Sequence, residues 1–344
     1  METFLGIDYP TWWFLVLGAV FTGYAILDGF DLGAGALHLF FKKELSRRIA
    51  LNAIGPVWDG NEVWLVIGGG VLFAGFPKVY ASLLSAFYIP IMLFLVLLIF
   101  RAVSIEFRSK EPMAWWRMTW DISYSVSSTL IAVLLGVVLG NVLLGIPMDK
   151  DGNYLGNWLE LLNPYSIMVG VATLSLFMMH GAIYLVMKTE DKLYEKLTRL
   201  VQRSTIFFVI SILMLSFYTL LYVPHLTKVI KDDPWMFPLP VVMILAIANI
   251  TRQVSKKKYV WAFVSSAISM SVLLIIVAIE LYPTILLSSG NPEYSLTVYN
   301  ASSSQKSLGI MLTIAAIGVP LVAVYTSFVF WTFKGKVKLD ETSY

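Results

Sequence analysis

Cysteine is absent from the 344 residues. Disulfides, iron–sulfur ligation and thiolate ligation of haem from within the chain are therefore excluded. Charge is scarce: Asp, Glu, Lys and Arg together make up 14% of the residues, against about 25% in an ordinary soluble domain. A soluble fold of this length requires a charged coat that this composition cannot supply. Histidine occurs three times, which is few for a chain that would ligate its own metals or haems. No phosphate-binding glycine loop, His/Glu zinc pattern or nucleophile elbow is found, and no nucleic-acid partner is expected. The opening segment, METFLGIDYPTWW, has neither a basic leader nor a small-residue cleavage site, so its apolar stretch reads as an uncleaved anchor.

What the chain does have is apolar surface. Hydrophobic residues make up 58% of it, and the mean hydropathy is +0.76. Windows free of Asp, Glu, Lys and Arg, near the length of about 20 residues that a bilayer requires, fall at 9–27, 79–100, 122–148, 161–187, 204–224, 259–279 and 307–333. An eighth, 235–251, is shorter and carries Pro238 and Pro240 near its start. Inside lipid the backbone must bond to itself, so these windows predict helices, and no barrel-like alternation competes with that reading.

Charge placement predicts a ninth pass. Basic clusters lie at 42–48, 101–117, 188–203, 252–258 and 334–338, and the connections between them at 77–78, 149–151, 225–234 and 288–293 are poor in Lys and Arg or balanced by acids. The positive-inside rule places the basic clusters on the cytoplasmic face. Clusters 42–48 and 101–117 share that face only if the chain crosses twice between them, so residues 59–76 must span. The expected architecture is an all-α polytopic membrane protein, one transmembrane domain over residues 1–344. It has nine helices, the N-terminus outside and the C-terminus cytoplasmic. A division into two four-helix units plus a final helix is compatible with this order but not required by it. The outer segment 288–304, rich in Ser and Asn, reads as an ordered loop.

The short span carries carboxylates to membrane depth, where they are costly and are functional suspects. In GPVWDGNEVW, Asp59 and Glu62 share a helix face. They are either membrane-embedded proton carriers or first-turn acids that complement the helix dipole. In LDGFDLGAG, Asp28 and Asp31 share a face, with Gly29, Gly33 and Gly35 permitting close helix approach. They form a buried acid pair in a proton path, or they end a helix in cytoplasmic water. In FRAVSIEFRSK, Arg101 and Arg108 lie two turns apart, with Glu106 between them, and Arg117 and Asp121 lie four apart on the next helix. These are read as supporting charges that pair the acids. All of these groups map to the cytoplasmic ends of the first four helices, where a proton inlet would need acids to relay protons and cations to hold them in working range. His180, after Met178 and Met179, invites an axial-ligand reading. A packing histidine with Tyr184 one turn on is the competing one, and His38 and His225 lie near opposite membrane faces. Glu280 reads as interfacial.

The strings LDGFDLGAG, GPVWDGNEVWL, FRAVSIEFRSK and SLTVYNASSSQKSL, with LLNPYSIMVGV and HGAIYLVMKT, resemble subunit II of cytochrome bd quinol oxidases over nearly the whole chain. The resemblance implies a nine-helix subunit of a bacterial cytoplasmic-membrane terminal oxidase that binds no haem itself. Its implied partner is a haem-carrying subunit I with two b haems and one haem d. A small accessory subunit and a bound quinone are further implications. The complex would oxidise quinol and reduce dioxygen to water. By the same resemblance, proton transfer falls to Asp28, Asp31 and Asp59, with Glu62 beside them. A proton-coupled transporter and a purely structural subunit are the alternatives that intramembrane acids leave open.

Overall fold

The computed structural model describes residues 2–228 and 232–339. Eleven α-helices run through them: α1 (Tyr9–Leu37), α2 (Glu44–Ile54), α3 (Trp58–Gly75), α4 (Pro77–Ala86), α5 (Tyr88–Phe107), α6 (Ala114–Leu144), α7 (Pro164–Lys188), α8 (Asp191–Tyr222), α9 (Pro238–Ser255), α10 (Tyr259–Leu281) and α11 (Gln305–Thr332). Eight of them, α1 and α5 to α11, are long and apolar enough to cross a membrane. They coincide with the eight charge-poor windows, and the chain is a multi-pass membrane protein. The expected ninth span corresponds to α3. It is a helix of 18 residues, about 27 Å long at the standard rise. Composition alone does not mark it as a span, because Asp59, Asn61 and Glu62 occupy its start. Residues 229–231, within the expected outer connection 225–234, lie outside the described residues.

Three boundaries differ from the sequence expectation. Helix α1 does not stop with its charge-free window. Asp8 caps its start by accepting from the Thr11 amide (2.9 Å), and the helix continues to Leu37, so Asp28 and Asp31 lie inside it and are buried. Window 79–100 is broken at Phe87 into α4 and α5. Pro90 then falls in the first turn of α5, the one place in a helix where its missing N–H costs nothing. The basic connection after α1 is partly folded: α2 is amphipathic and buries Ala50, Leu51, Ala53 and Ile54.

Helix α1 packs against α3, α6 and α7. A Cβ on Gly33 would stand 1.8 Å from the Phe177 carbonyl oxygen, and one on Gly181 would stand 2.5 Å from the Ala34 amide nitrogen. The backbones of α1 and α7 are therefore in direct contact, as small residues allow between membrane helices. Helix α11 is the opposite case, with Leu308 its one buried residue.

Hydrogen bonds gather four of the five basic clusters at one end of the bundle. Arg108 and Arg117 reach Glu44 (3.0 and 3.4 Å). Lys196 Nζ donates to the Phe40 carbonyl (2.5 Å), Lys188 Nζ to that of Phe333 (2.6 Å) and Lys336 Nζ to that of Thr189 (2.8 Å). At the other end, Trp13 Nε1 donates to the Leu308 carbonyl (3.0 Å) and Ser303 Oγ to that of Ala74 (2.6 Å). Helix α3 thus starts beside the basic end and finishes at the opposite one. That opposite end is closed by a small hairpin of β3 (Thr284–Leu286) and β4 (Leu296–Thr297), so the expected loop 288–304 is ordered. The turn at Asp149 also lies there. Its carboxylate accepts from the side chain and amide of Asn153, which hold it below the ordinary carboxylate range.

Candidate functional site

Tyr24, Asp28, Asp31, Gly35 and His38 follow one another at spacings of four, three, four and three, so they form one stripe along α1 and its end. All five are buried. Helices α3, α5 and α6 close over this stripe and supply its partners.

The inner part is centred on Arg101 of α5. Arg101 and Asp28 are both 0% exposed. Arg101 Nη2 lies 2.5 Å from Asp28 Oδ1 and Nη1 lies 3.2 Å from Oδ2, the two-pronged geometry that makes Arg–carboxylate pairs strong. Glu62 of α3 approaches the same guanidinium, with Oε2 at 3.5 Å from Nη1. One turn along α1, Asp31 Oδ2 accepts from Asn61 Nδ2 (2.8 Å), while Asp31 Oδ1 has no hydrogen-bond partner among the described residues. Two carboxyl groups therefore contact a single permanent cation, with a third, Asp31, one helical turn away.

The outer part is centred on Asp121 of α6. It receives Arg108 Nε at 2.5 Å on Oδ1 and Nη2 at 3.3 Å on Oδ2. Arg47 Nη1 of α2 is at 3.0 Å on Oδ2, and His38 Nε2 stands 2.5 Å from Oδ1. Arg108 caps α5 and passes on to Glu44, which also holds Arg117. Asp121 thus ties together the ends of α1 and α5 with α2 and α6. Tyr124, one turn further on α6, joins the two parts. Its ring meets His38 edge-on at 5.1 Å, and its hydroxyl donates to the Asp31 backbone carbonyl (3.4 Å).

The structure brings Asp28, Asp31, Glu62 and Arg101 into one cluster and Arg108, Arg117 and Asp121 into the next. The four-residue spacing of Arg117 and Asp121 does not become a pair, since Arg117 turns to Glu44 instead. Asp59 stands in the first turn of α3 with its side chain exposed, apart from the buried pairs. Glu106 is half-buried beside the second cluster's helix end. His38 and Tyr124 are among the groups that sequence reasoning passed over, as are the partners Asn61, Arg47 and Glu44. The regular spacing from Asp31 to His38 was a signal for the first, whereas nothing in the sequence marked Tyr124.

His180 is buried with both ring nitrogens engaged. Nδ1 lies 2.6 Å from Ser266 Oγ and Nε2 lies 3.0 Å from the Ile26 carbonyl, and Phe263 stacks on the ring at 4.3 Å. This arrangement bolts α1, α7 and α10 together and does not suit an axial haem ligand, which must present a free nitrogen to the iron. His225 has its Nε2 on the Leu143 carbonyl (3.1 Å). Glu280 is half-buried in the last turn of α10.

Residues 9–333 match the family model described as cytochrome bd terminal oxidase subunit II. The chain is 31% identical to "Cytochrome bd-I ubiquinol oxidase subunit 2" of Escherichia coli (strain K12), with 97% of each chain covered. It is 32% identical to "Cytochrome bd ubiquinol oxidase subunit 2" of Bacillus subtilis (strain 168), covering 96% of this chain and 97% of that one. Its fold is similar to that of a chain in the bd oxidase from Geobacillus thermodenitrificans, with a TM-score of 0.78 at 19% identity, covering 94% of this chain and 98% of the other.

Proposed function

The chain belongs to the family of cytochrome bd terminal oxidase subunits II, and from that premise we propose that its task within the oxidase complex is to conduct protons through the α1 stripe toward a haem-carrying subunit I. The chain is a subunit of a terminal oxidase. The reading extends this: it holds no haem itself, lies in a bacterial cytoplasmic membrane and scaffolds its partner, while the complex oxidises quinol. It crosses nine times, with the basic end in the cytoplasm. The course of α3 from the basic end to the opposite one supports the ninth crossing.

The observation that carries the proton reading is the excess of acids in the inner cluster. Asp28 and Glu62 reach the single guanidinium of Arg101, and Asp31 stands one turn along α1 on Asn61, so three carboxyls share one cation's neighbourhood. In a medium of low dielectric, several like charges close together favour uptake of a proton, so the cluster can load one and release it. Asp28 is held by two hydrogen bonds to Arg101 and serves mainly to fix that cation. Asp31, with one oxygen engaged and one without a partner among the described residues, is the group best placed to accept and hand on a proton. Asp121 is different: with three cationic or histidine partners it supports an anchoring role at the basic end, with His38 at the entrance.

The test is Asp31→Asn in the assembled oxidase. This substitution keeps the shape and the bond to Asn61 but removes the titratable oxygen. Quinol-driven oxygen consumption should fall about a hundredfold, the lower end of what a positioned proton-transfer group contributes, at unchanged haem content. Wild-type turnover would remove Asp31 from the route.

A further inference from the structure

At the basic end, away from the acid stripe, α8 carries a cationic hollow that the proton reading does not use. Lys196, Arg199, Leu200 and Arg203 line a cavity of about 260 Å³. Lys196 is held in place by its bond to the Phe40 carbonyl (2.5 Å) and by the Phe41 ring at 5.6 Å, which leaves further donors on its ammonium. Arg199 and Arg203 are exposed and form no ion pair among the described residues, although the exposed Glu195 lies one turn before Arg199. Lys42 and Arg199 add like charge around Lys196. Several cations thus converge on one hollow, and among the described residues no acid pairs with Arg199 or Arg203.

The same helix face continues into lipid. Arg199, Arg203, Ile206, Ile210, Leu213 and Phe217 succeed one another at spacings of four, three, four, three and four, which keeps them on one side of α8. The four apolar members are 59%, 51%, 51% and 63% exposed. From Ile206 to Phe217 is about 16 Å along the axis, roughly half the hydrocarbon thickness of a bilayer. Orientation by the positive-inside rule would need the charges but neither the hollow nor the aligned apolar track. The geometry points to a binding site for an anionic phospholipid, its phosphate held by Lys196, Arg199 and Arg203 and its acyl chains laid along Ile206–Phe217 of α8. Basic pockets at the cytoplasmic ends of membrane helices take anionic headgroups in this way.

The test uses the oxidase complex containing this chain, stripped of lipid in detergent and then offered phosphatidylglycerol or phosphatidylcholine, with retained lipid read by native mass spectrometry. Each basic side chain near an anionic surface is worth a factor of about five. Arg199→Gln with Arg203→Gln should therefore weaken phosphatidylglycerol retention roughly thirtyfold and leave phosphatidylcholine unaffected. The charge-keeping pair Arg199→Lys with Arg203→Lys should retain phosphatidylglycerol within about threefold of the unaltered complex, and an unchanged haem spectrum certifies that each variant complex is assembled. Unaltered phosphatidylglycerol retention in the Gln pair, or equal retention of both lipids by the unaltered complex, would overturn the site. So would displacement of the lipid by inorganic phosphate, which would make the hollow a free-anion site. A photoreactive residue placed at Ile210 should crosslink lipid; crosslinking to a partner chain instead would show that protein covers this face.

Discussion

Removing the carboxylate of Asp28 strands a guanidinium that cannot shed its charge. Arg101 is fully buried, lies 2.5 Å from Asp28 Oδ1 and, among the described residues, pairs with one further anion, Glu62 at 3.5 Å. Two unit charges about 4 Å apart attract by about 4 kcal/mol at an effective dielectric of 20, and breaking a buried pair from one side costs about 3–5 kcal/mol. Asp28→Leu is therefore expected to lower the folded-to-unfolded ratio of the subunit by roughly 10² to 10³·⁵. Arg101→Met should cost less, because the carboxyls it leaves behind can take up protons, whereas arginine stays charged. The combined variant Asp28→Leu/Arg101→Met should return to within about 2 kcal/mol of the unaltered protein, since apolar pairs commonly replace buried ion pairs without loss. Denaturant titration of the purified complex, followed by tryptophan fluorescence on all four proteins, gives the coupling energy directly. If the two single losses simply add in the combined variant, the pair is not coupled and the electrostatic reading of the inner cluster fails.

Other outcomes follow from the packing and the charge map. Gly33→Ala should prevent stable assembly, because its Cβ would meet the Phe177 carbonyl oxygen at 1.8 Å, whereas Gly69→Ala, with nothing within 4 Å, should be silent; the yield of complex after purification separates the two. His180→Ala should leave the haem absorption bands of the complex intact while lowering its thermal stability by several degrees, since the loss of two buried hydrogen bonds costs about 2 kcal/mol; a lost haem band would overturn the bolt assigned to His180. Membrane-impermeant amine labelling of spheroplasts and of inverted vesicles should modify Lys42 and Lys110 from the same side, and modification from opposite sides would refute the nine-pass arrangement.

The helices were legible because lipid leaves so few options: an uncharged window of the right length can only be a helix, and its composition says so without reference to its neighbours. The acids and arginines were legible as a set for a related reason, being too costly at that depth to be incidental. Which of them meet was not legible. Arg117 and Asp121 lie one turn apart, yet Arg117 pairs with Glu44 and Asp121 with Arg108, Arg47 and His38. Those choices depend on how far each helix is rotated toward its neighbour, and a linear spacing carries no information on that. Asp59 illustrates the same limit. It shares a face with Glu62 in the abstract, but the setting of α3 turns Glu62 toward Arg101 and leaves Asp59 outside. Short α2 escaped notice because its charges masked an apolar face of only four residues.

Helix α3 also constrains the order in which the chain can be built. Glu62 and Asp28 are synthesised before the cation that neutralises them: Arg101 follows Asp28 by 73 residues. Until α5 leaves the ribosome, α1 and α3 carry uncompensated acids, and α3 lacks the apolar length to settle in the bilayer unaided. In the proposed nine-pass arrangement α3 therefore enters the lipid late, together with α5, whereas α1 is long and apolar enough to cross on its own. A nascent chain arrested before Arg101 should keep α3 at the water interface.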